Sequence, residues 1–286
     1  MAEVSKRLPE NVPGDFFVDS TCIDCDTCRQ IAPATFGETG DSSFVQLQPR
    51  SEAERRAACR ALVACPTASI GAVDKSGVAA AVREFPFELE PRLYYCGFNS
   101  RKSFGGNSYF LEHPSGNWLI DSPRFVEHLA RAFETMGGIR YIFLTHRDDV
   151  ADAGLYAARF GAERVIHRLE LSAQPDAERV IEGFDPLDLA PGFLAVPTPG
   201  HTPGHCVLLA EGRYMFTGDH IWWSRHRGRL HASRDVCWYS WAEQMKSVRK
   251  LSDYPFEWIL PGHGERVHFS RHEAPIQMER LMRAVA

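Results

Sequence analysis

The sequence predicts an α+β protein in two parts, a small cysteine-rich unit followed by a larger domain of strands and helices. Three observations predict it. Cys22, Cys25 and Cys28 stand at two-residue intervals, and Cys65 stands before a proline further on. From about residue 93, short β-type runs alternate with helical ones, a pattern of sheets covered by helices. Several of those runs end on a His or Asp beside Gly or Pro.

Composition narrows the class. Of 286 residues, 44% are hydrophobic and 24% charged, as in a globular protein long enough for one small and one medium domain. No apolar run approaches the ~20 residues that span a bilayer. The opening stretch MAEVSKRLPENVPGDFF has no apolar core of a secretory signal, so a cytoplasmic protein with no membrane partner is expected. A net charge of −5 argues against nucleic acid as a partner. Eight cysteines in a reducing compartment point to held metal rather than to a disulfide framework.

Residues 1–75 are expected to form one unit. Within it, Ser51 and Glu54 have capping-box spacing at the head of SEAERRAACRALVAC, residues 51–65, whose Ala, Leu and Arg content favours a helix. Residues 76–92 carry no strong periodicity and are expected to be a linker. In 93–286, SYFLEH and NWLIDS flank a turn at Pro114–Ser115–Gly116, a hairpin signal. Ser122 and Pro123 are expected to start a helix that stops at Gly137–Gly138. RYIFLT, RVIH, FLAVP, HCVLLA, RYMFTG and EWILP read as strands. DVADAGLYAARFG, WYSWAEQMKSVRKL and the last residues read as helices.

CIDCDTCRQIAP carries C-x2-C-x2-C. In the bacterial ferredoxin run a fourth cysteine follows three residues later, before a proline, and serves a second cluster. Here Ala32 stands at that position, so one cluster is expected. Three thiolates on a tight loop reach three corners of a cube, and Cys65 of ACPTASI supplies the fourth. This resembles the single-cluster bacterial ferredoxins and implies a [4Fe-4S] cofactor on Cys22, Cys25, Cys28 and Cys65. A zinc knuckle or a cluster-free relic is the alternative. Cys59, Cys96, Cys206 and Cys237 stand alone and read as small buried residues.

His146 ends LTH, His201 lies in PGHTPGH, Asp219 ends TGD and His263 lies in PGHG. A lone histidine is more often structural than a ligand. Four such residues at strand ends, with Gly allowing close approach, form a candidate metal site. In this order the motifs resemble the glyoxalase II-like branch of the metallo-β-lactamase fold. The resemblance implies a small ferredoxin-like domain followed by a four-layer αββα sandwich with its site at the sheet edge. It extends over nearly the whole chain to ferredoxin–metallo-β-lactamase fusion proteins of plants and bacteria.

The family's first motif is H-x-H-x-D-H. Here His146 is kept, Asp148 replaces the second His, and Val150 and Ala151 replace the Asp and the last His. The resemblance implies one metal on His146, Asp148, His201 and Asp219. Only Asp219 and His263 remain of the second set, so one Zn or Fe ion is expected, with Asp149 or Asp152 able to rescue a second. The expected activity is metal-dependent hydrolysis of an ester or thioester, with Asp148 or Asp149 orienting water as general base. His146, His201 and Asp219 also make a 2-His-1-carboxylate set, so a persulfide dioxygenase-like iron enzyme is the alternative, and a non-catalytic metal or redox sensor a third. Residues 220–238, with Arg225, Arg227, Arg229 and Arg234, are either a solvated loop or a lid for an anionic small molecule. A redox partner protein is the other partner class expected.

Overall fold

A computed structural model describes residues 2–285. The chain divides into two compact units. One holds the chain up to Asn117 together with Ser122–Gly138; the other holds Trp118–Asp121 together with the chain from Ile139 on.

The first unit contains β1 (Phe16–Val18), the hairpin of β2 (Phe36–Glu38) and β3 (Ser43–Val45), and β4 (Ile70–Ala72), which pairs antiparallel with β1. Helices α1 (Thr27–Ile31) and α2 (Glu52–Ala64) lie between these strands in sequence. The capping box of α2 is formed: Ser51 Oγ accepts from Glu54 N, and the Glu54 carboxylate accepts from Ser51 N. Such a cap contributes about 1 kcal/mol. Residues 76–92, expected as a linker, carry α3 (Val78–Arg83) and β5 (Phe87–Glu90). Their Ala-rich and Phe-rich stretches are each shorter than the windows in which periodicity shows. β5 continues the antiparallel order into β6 (Leu93–Tyr95) and β7 (Tyr109–Leu111).

Helix α4 (Glu127–Thr135) starts later than Ser122 and Pro123 predict. Ser122 Oγ donates to Pro123 O instead of capping, and Arg124 N donates to Phe98 O. Tertiary bonding thus holds residues 122–124 out of the helix. The predicted stop holds: Gly138 N donates to Phe133 O, with Gly137 in the left-handed region.

The second unit is itself layered. The parallel strands β8 (Trp118–Ile120), β9 (Tyr141–Phe143), β10 (Glu163–His167) and β11 (Arg179–Ile181) form one layer. α5 (Ala153–Phe160) lies against β10 and ends at Gly161 in the left-handed region. The next layer is the run β12 (Leu187–Ala190), β13 (Phe193–Pro197), β14 (Cys206–Ala210) and β15 (Tyr214–Gly218). It is continued by two further strands. The indole of Trp118 on β8 stacks on Phe193 of β13 at 4.3 Å, which joins the two layers. β16 (Trp222–Ser224) and β17 (Arg229–His231) form a hairpin inside the 220–238 insert. α6 (Trp241–Leu251), β18 (Trp258–Pro261), β19 (Val267–His268) and α7 (Glu273–Val285) complete the chain.

Strands β14 and β15 are buried along their whole length, because both faces are covered. Val207, Leu209 and Met215 point to the helix side, where they meet Val248 and Leu251 of α6 and Met278 and Leu281 of α7. The order helix, sheet, sheet, helix is the αββα sandwich. Its sheets bring the C-terminal ends of β8, β9, β15 and β18 to one rim.

Candidate metal centre and cluster site

His146 follows β9, Asp219 follows β15 directly and His263 follows β18; His201 lies in the turn between β13 and β14. They converge. His146 Nε2 is 3.8 Å from both Asp148 Oδ2 and Asp219 Oδ2, and His201 Nε2 is 3.7 Å and 3.5 Å from the same two atoms. Donors at ~2.1 Å from a tetrahedral ion stand about 3.4 Å apart, so this spacing fits one ion. Asp148 is half exposed, and the other three side chains are buried.

Asp149 does not face solvent. It is buried, its carboxylate lies 3.8 Å from His263 Nε2, and the latter is 4.0 Å from Asp219 Oδ2. The sequence pattern left only Asp219 and His263 for a second ion. A 3-10 turn over Arg147–Asp149 carries the buried Asp149, which joins His146 and Asp219 as a group able to hold an ion, with His263 Nε2 3.8 Å from Asp149 and 4.0 Å from Asp219. Asp152 sits at the head of α5, outside the groups able to hold an ion among the described residues.

The donor set fits metal. His146 Nε2, His201 Nε2, both Asp149 carboxylate oxygens and Asp219 Oδ1 are buried without a hydrogen-bond partner. Unpaired buried polar atoms are costly, and an ion would satisfy all of them at once. Tautomers agree. His201 Nδ1 donates to Val236 O at 2.6 Å, which leaves Nε2 its lone pair. Thr145 Oγ1 lies 3.0 Å from Asp121 Oδ2 and 3.0 Å from His146 Nδ1. Its one proton goes to the carboxylate, so it accepts from His146 Nδ1–H, and His146 Nε2 is again free.

Electrostatics follow burial. Burial holds His146 down at about 4, so it is a neutral ligand at neutral pH. Burial and the nearby Asp219 and Asp121 carboxylates push Asp149 well above the carboxylate range. The His201 imidazole 3.7 Å away, with His146 beside it, holds Asp148 below it.

Sequence reading missed four supporting residues. Asp121 follows β8 in NWLIDS and accepts from Thr145 N at 2.8 Å. His205 ends the PGHTPGH repeat; its Nε2 accepts from Asp219 N, and its ring lies 4.0 Å from that of the wholly buried His220, tilted to it by 31°. Glu170, also wholly buried, accepts from Gly204 N at 2.6 Å and from Arg147 N at 3.3 Å. It ties the His201 turn to the His146 turn. The doubled PGH could have flagged His205; no local signal marks Glu170.

In the first unit, Cys22, Cys25, Cys28 and Cys65 line one cavity with Val18, Ile70 and a few hydroxyl residues. All four are free thiols. Asp24 and Asp26 take left-handed backbone, and the Arg29 guanidinium clasps both carboxylates, which curls the loop. Ser69 N donates to Cys65 Sγ at 3.3 Å. Gly105 closes the cavity: a Cβ there would stand 2.6 Å from Cys25 Cβ. Burial pushes the Cys25 thiol up to about 11 and raises Cys28 further, so thiolates in this cavity need a positive partner. Four converging cysteines suit a [4Fe-4S] cluster. Cys59, Cys96 and Cys206 are buried elsewhere, and Cys237 Sγ donates to Gly200 O.

In the insert, Arg225 pairs with Glu265 at 2.8 Å and Arg234 lies over the Trp241 ring. These two guanidinium groups are engaged by the fold. No helix among the described residues is long and apolar enough to cross a membrane.

Comparison with known proteins gives two family matches. Residues 18–72 match the 4Fe-4S single cluster domain of Ferredoxin I, and residues 89–274 match the metallo-beta-lactamase superfamily. The chain is 28% identical over 195 residues to the beta-lactamase-like protein 2 homolog of Drosophila melanogaster, covering 60% of this chain and 63% of that one. The chain thus spans less than two thirds of that relative's length. Among solved structures, the BLEG-1 B3 metallo-beta-lactamase is 16% identical with a TM-score of 0.50, over 64% of this chain and 96% of that one. That likeness is one of fold. ETHE1 from Myxococcus xanthus is 19% identical with a TM-score of 0.48, over 66% of this chain and 84% of that one.

Proposed function

The chain belongs to the metallo-β-lactamase superfamily, with a single-cluster ferredoxin domain ahead of it, and from that premise we propose that it is a metal-dependent hydrolase of an ester or thioester. The observation that carries this reading is the half-exposed Asp148 carboxylate beside the buried imidazoles of His146 and His201. A bound zinc or iron ion would polarise the substrate carbonyl and yield a water nucleophile at neutral pH. His146 and His201 with Asp148 or Asp219 would hold the first ion, each carboxylate lying 3.5–3.8 Å from both imidazole Nε2 atoms. Asp149, Asp219 and His263 would hold a second.

Asp148 does the proton work. It is the accessible carboxylate of the set, and His201 keeps it ionised at neutral pH. It can therefore orient water and take its proton. Asp149 is buried against His263 and suits a ligand rather than a base, so the choice between Asp148 and Asp149 as base falls on Asp148. The substrate is proposed to be a small anionic acyl compound.

A second reading is favoured by the donor types themselves. His146 and His201 with one carboxylate also suit mononuclear non-haem iron, and the ferredoxin domain would then pass electrons from a redox partner protein. Metal analysis of full-length protein purified without air separates the two. Hydrolysis predicts one or two ions beyond the cluster's iron, and turnover of p-nitrophenyl acetate that Asp148→Asn abolishes even at metal concentrations that saturate the variant. Dioxygen consumption by a single-iron centre with no ester turnover overturns the hydrolase reading.

A further inference from the structure

We infer that Trp238, with Val236 and Tyr239, forms a subsite for an aromatic acyl group, so that the substrate of the proposed hydrolase carries a ring next to its reacting carbonyl. This rests on the hydrolytic reading above and names its substrate class.

The stretch from Val236 to Ser240 is fastened to the metal-ligand turn by its backbone. His201 Nδ1 donates to Val236 O, while Trp238 N and Tyr239 N both donate to His201 O at 3.1 Å and 3.0 Å. Ser240 N donates to Gly200 O at 2.9 Å. Ser240 Oγ then accepts from Glu243 N and caps α6. A backbone held at so many points does not swing away. Yet the side chains it carries are open to solvent: Trp238 is 68% exposed, Tyr239 56% and Val236 38%.

Exposed apolar side chains scattered singly mean little, but three within four residues, on backbone fastened to a metal-ligand turn, are unusual. The Trp238 ring meets the His201 ring edge-on at 6.2 Å. His201 Nε2 also lies 3.7 Å from the half-exposed Asp148 carboxylate. The accessible carboxylate and the accessible indole therefore flank the same ligand. A carbonyl held beside the exposed edge of Asp148 would place its substituent within reach of Trp238.

Size decides the occupant. A stable protein interface needs about 1,000 Å² or more, which three side chains cannot supply. One aromatic ring is the right scale. An indole prefers an aromatic neighbour in an offset or edge-to-face arrangement and gains from it beyond the area it covers.

The test uses zinc-loaded full-length protein and two carboxylates that differ by one ring, phenylacetate and acetate, titrated by ligand-observed NMR. Zinc content is counted on the same sample. Phenylacetate is expected to bind about tenfold more tightly than acetate. Trp238→Ala is expected to remove that difference at unchanged zinc content, because the backbone bonds to His201 stay, and Trp238→Phe to keep most of it. Equal affinities for the two probes on zinc-replete protein overturn the subsite. So does a Trp238→Ala variant that changes the oligomeric state but not phenylacetate binding, since the patch would then cover a second copy of the chain. Absence of bound zinc instead strikes the metal-centre reading, and the metal count tells the two failures apart.

Discussion

The Asp149 carboxylate stands 3.8 Å from His263 Nε2, and Asp149 is one of the two residues the sequence offers to rescue the second ion. The pair gives the depleted half of the centre a third donor. Two ions per chain beyond the cluster's iron are expected when the protein is saturated with zinc. Asp149→Asn and His263→Ala should each lower that number to one. His201→Ala should remove the other ion. Elemental analysis of the three variants checks this, and a wild-type count of one at saturation sinks it.

Asp148 is half exposed and still within 3.8 Å of both imidazoles. Asp148→Ala is expected to weaken ion binding about 10–100-fold if the carboxylate acts through an outer-shell contact, and more if it is a ligand. Asp148→His should shift preference toward zinc, because a carboxylate favours harder ions. Competitive titration with zinc and manganese measures both. Unchanged affinity and preference would make Asp148 a bystander.

The cluster cavity gives a separate expectation. Replacing Cys22, Cys25, Cys28 or Cys65 by Ser should lose the broad cluster absorption of protein purified without air, whereas Cys59→Ala should keep it. Gly105→Ala should also lower cluster content, since its new Cβ would stand 2.6 Å from Cys25 Cβ. Equal iron and sulfide in all variants refutes the ligand set.

Protonation of the metal rim sets a pH dependence. Burial pushes Asp121 up to about 8, against about 3.9 in an unfolded chain, and Asp149 moves the same way. A raised carboxyl pKa means that the fold favours the protonated form. Its contribution to stability is complete below about pH 4 and is lost as pH rises toward 8. Metal-free protein should therefore melt at a falling temperature from pH 5.5 to 8. Zinc needs the ionised carboxylates, so its stabilising effect should grow over the same window. Thermal melts with chelator and with zinc test the sign; a metal-free Tm that climbs with pH contradicts it.

Much of this protein was legible in its sequence. Cysteine spacing and the Ala32 substitution announce a single-cluster unit, because thiolate reach along a tight loop is a local property. The apolar runs ending in LTH, TGD and PGHG mark strand ends, because strand burial and Gly–Pro punctuation are local too. The capping box at Ser51 and Glu54 is of the same kind. Tertiary structure alone decided the rest. It starts α4 at Glu127, because Arg124 N is taken by Phe98 O. It turns Asp149 inward and leaves Asp148 half exposed, though the two are adjacent and chemically alike, because a 3-10 turn places successive side chains on different sides. It recruits Asp121, His205 and Glu170 from separate segments, because a hydrogen bond depends on distance in space and leaves no trace in spacing along the chain.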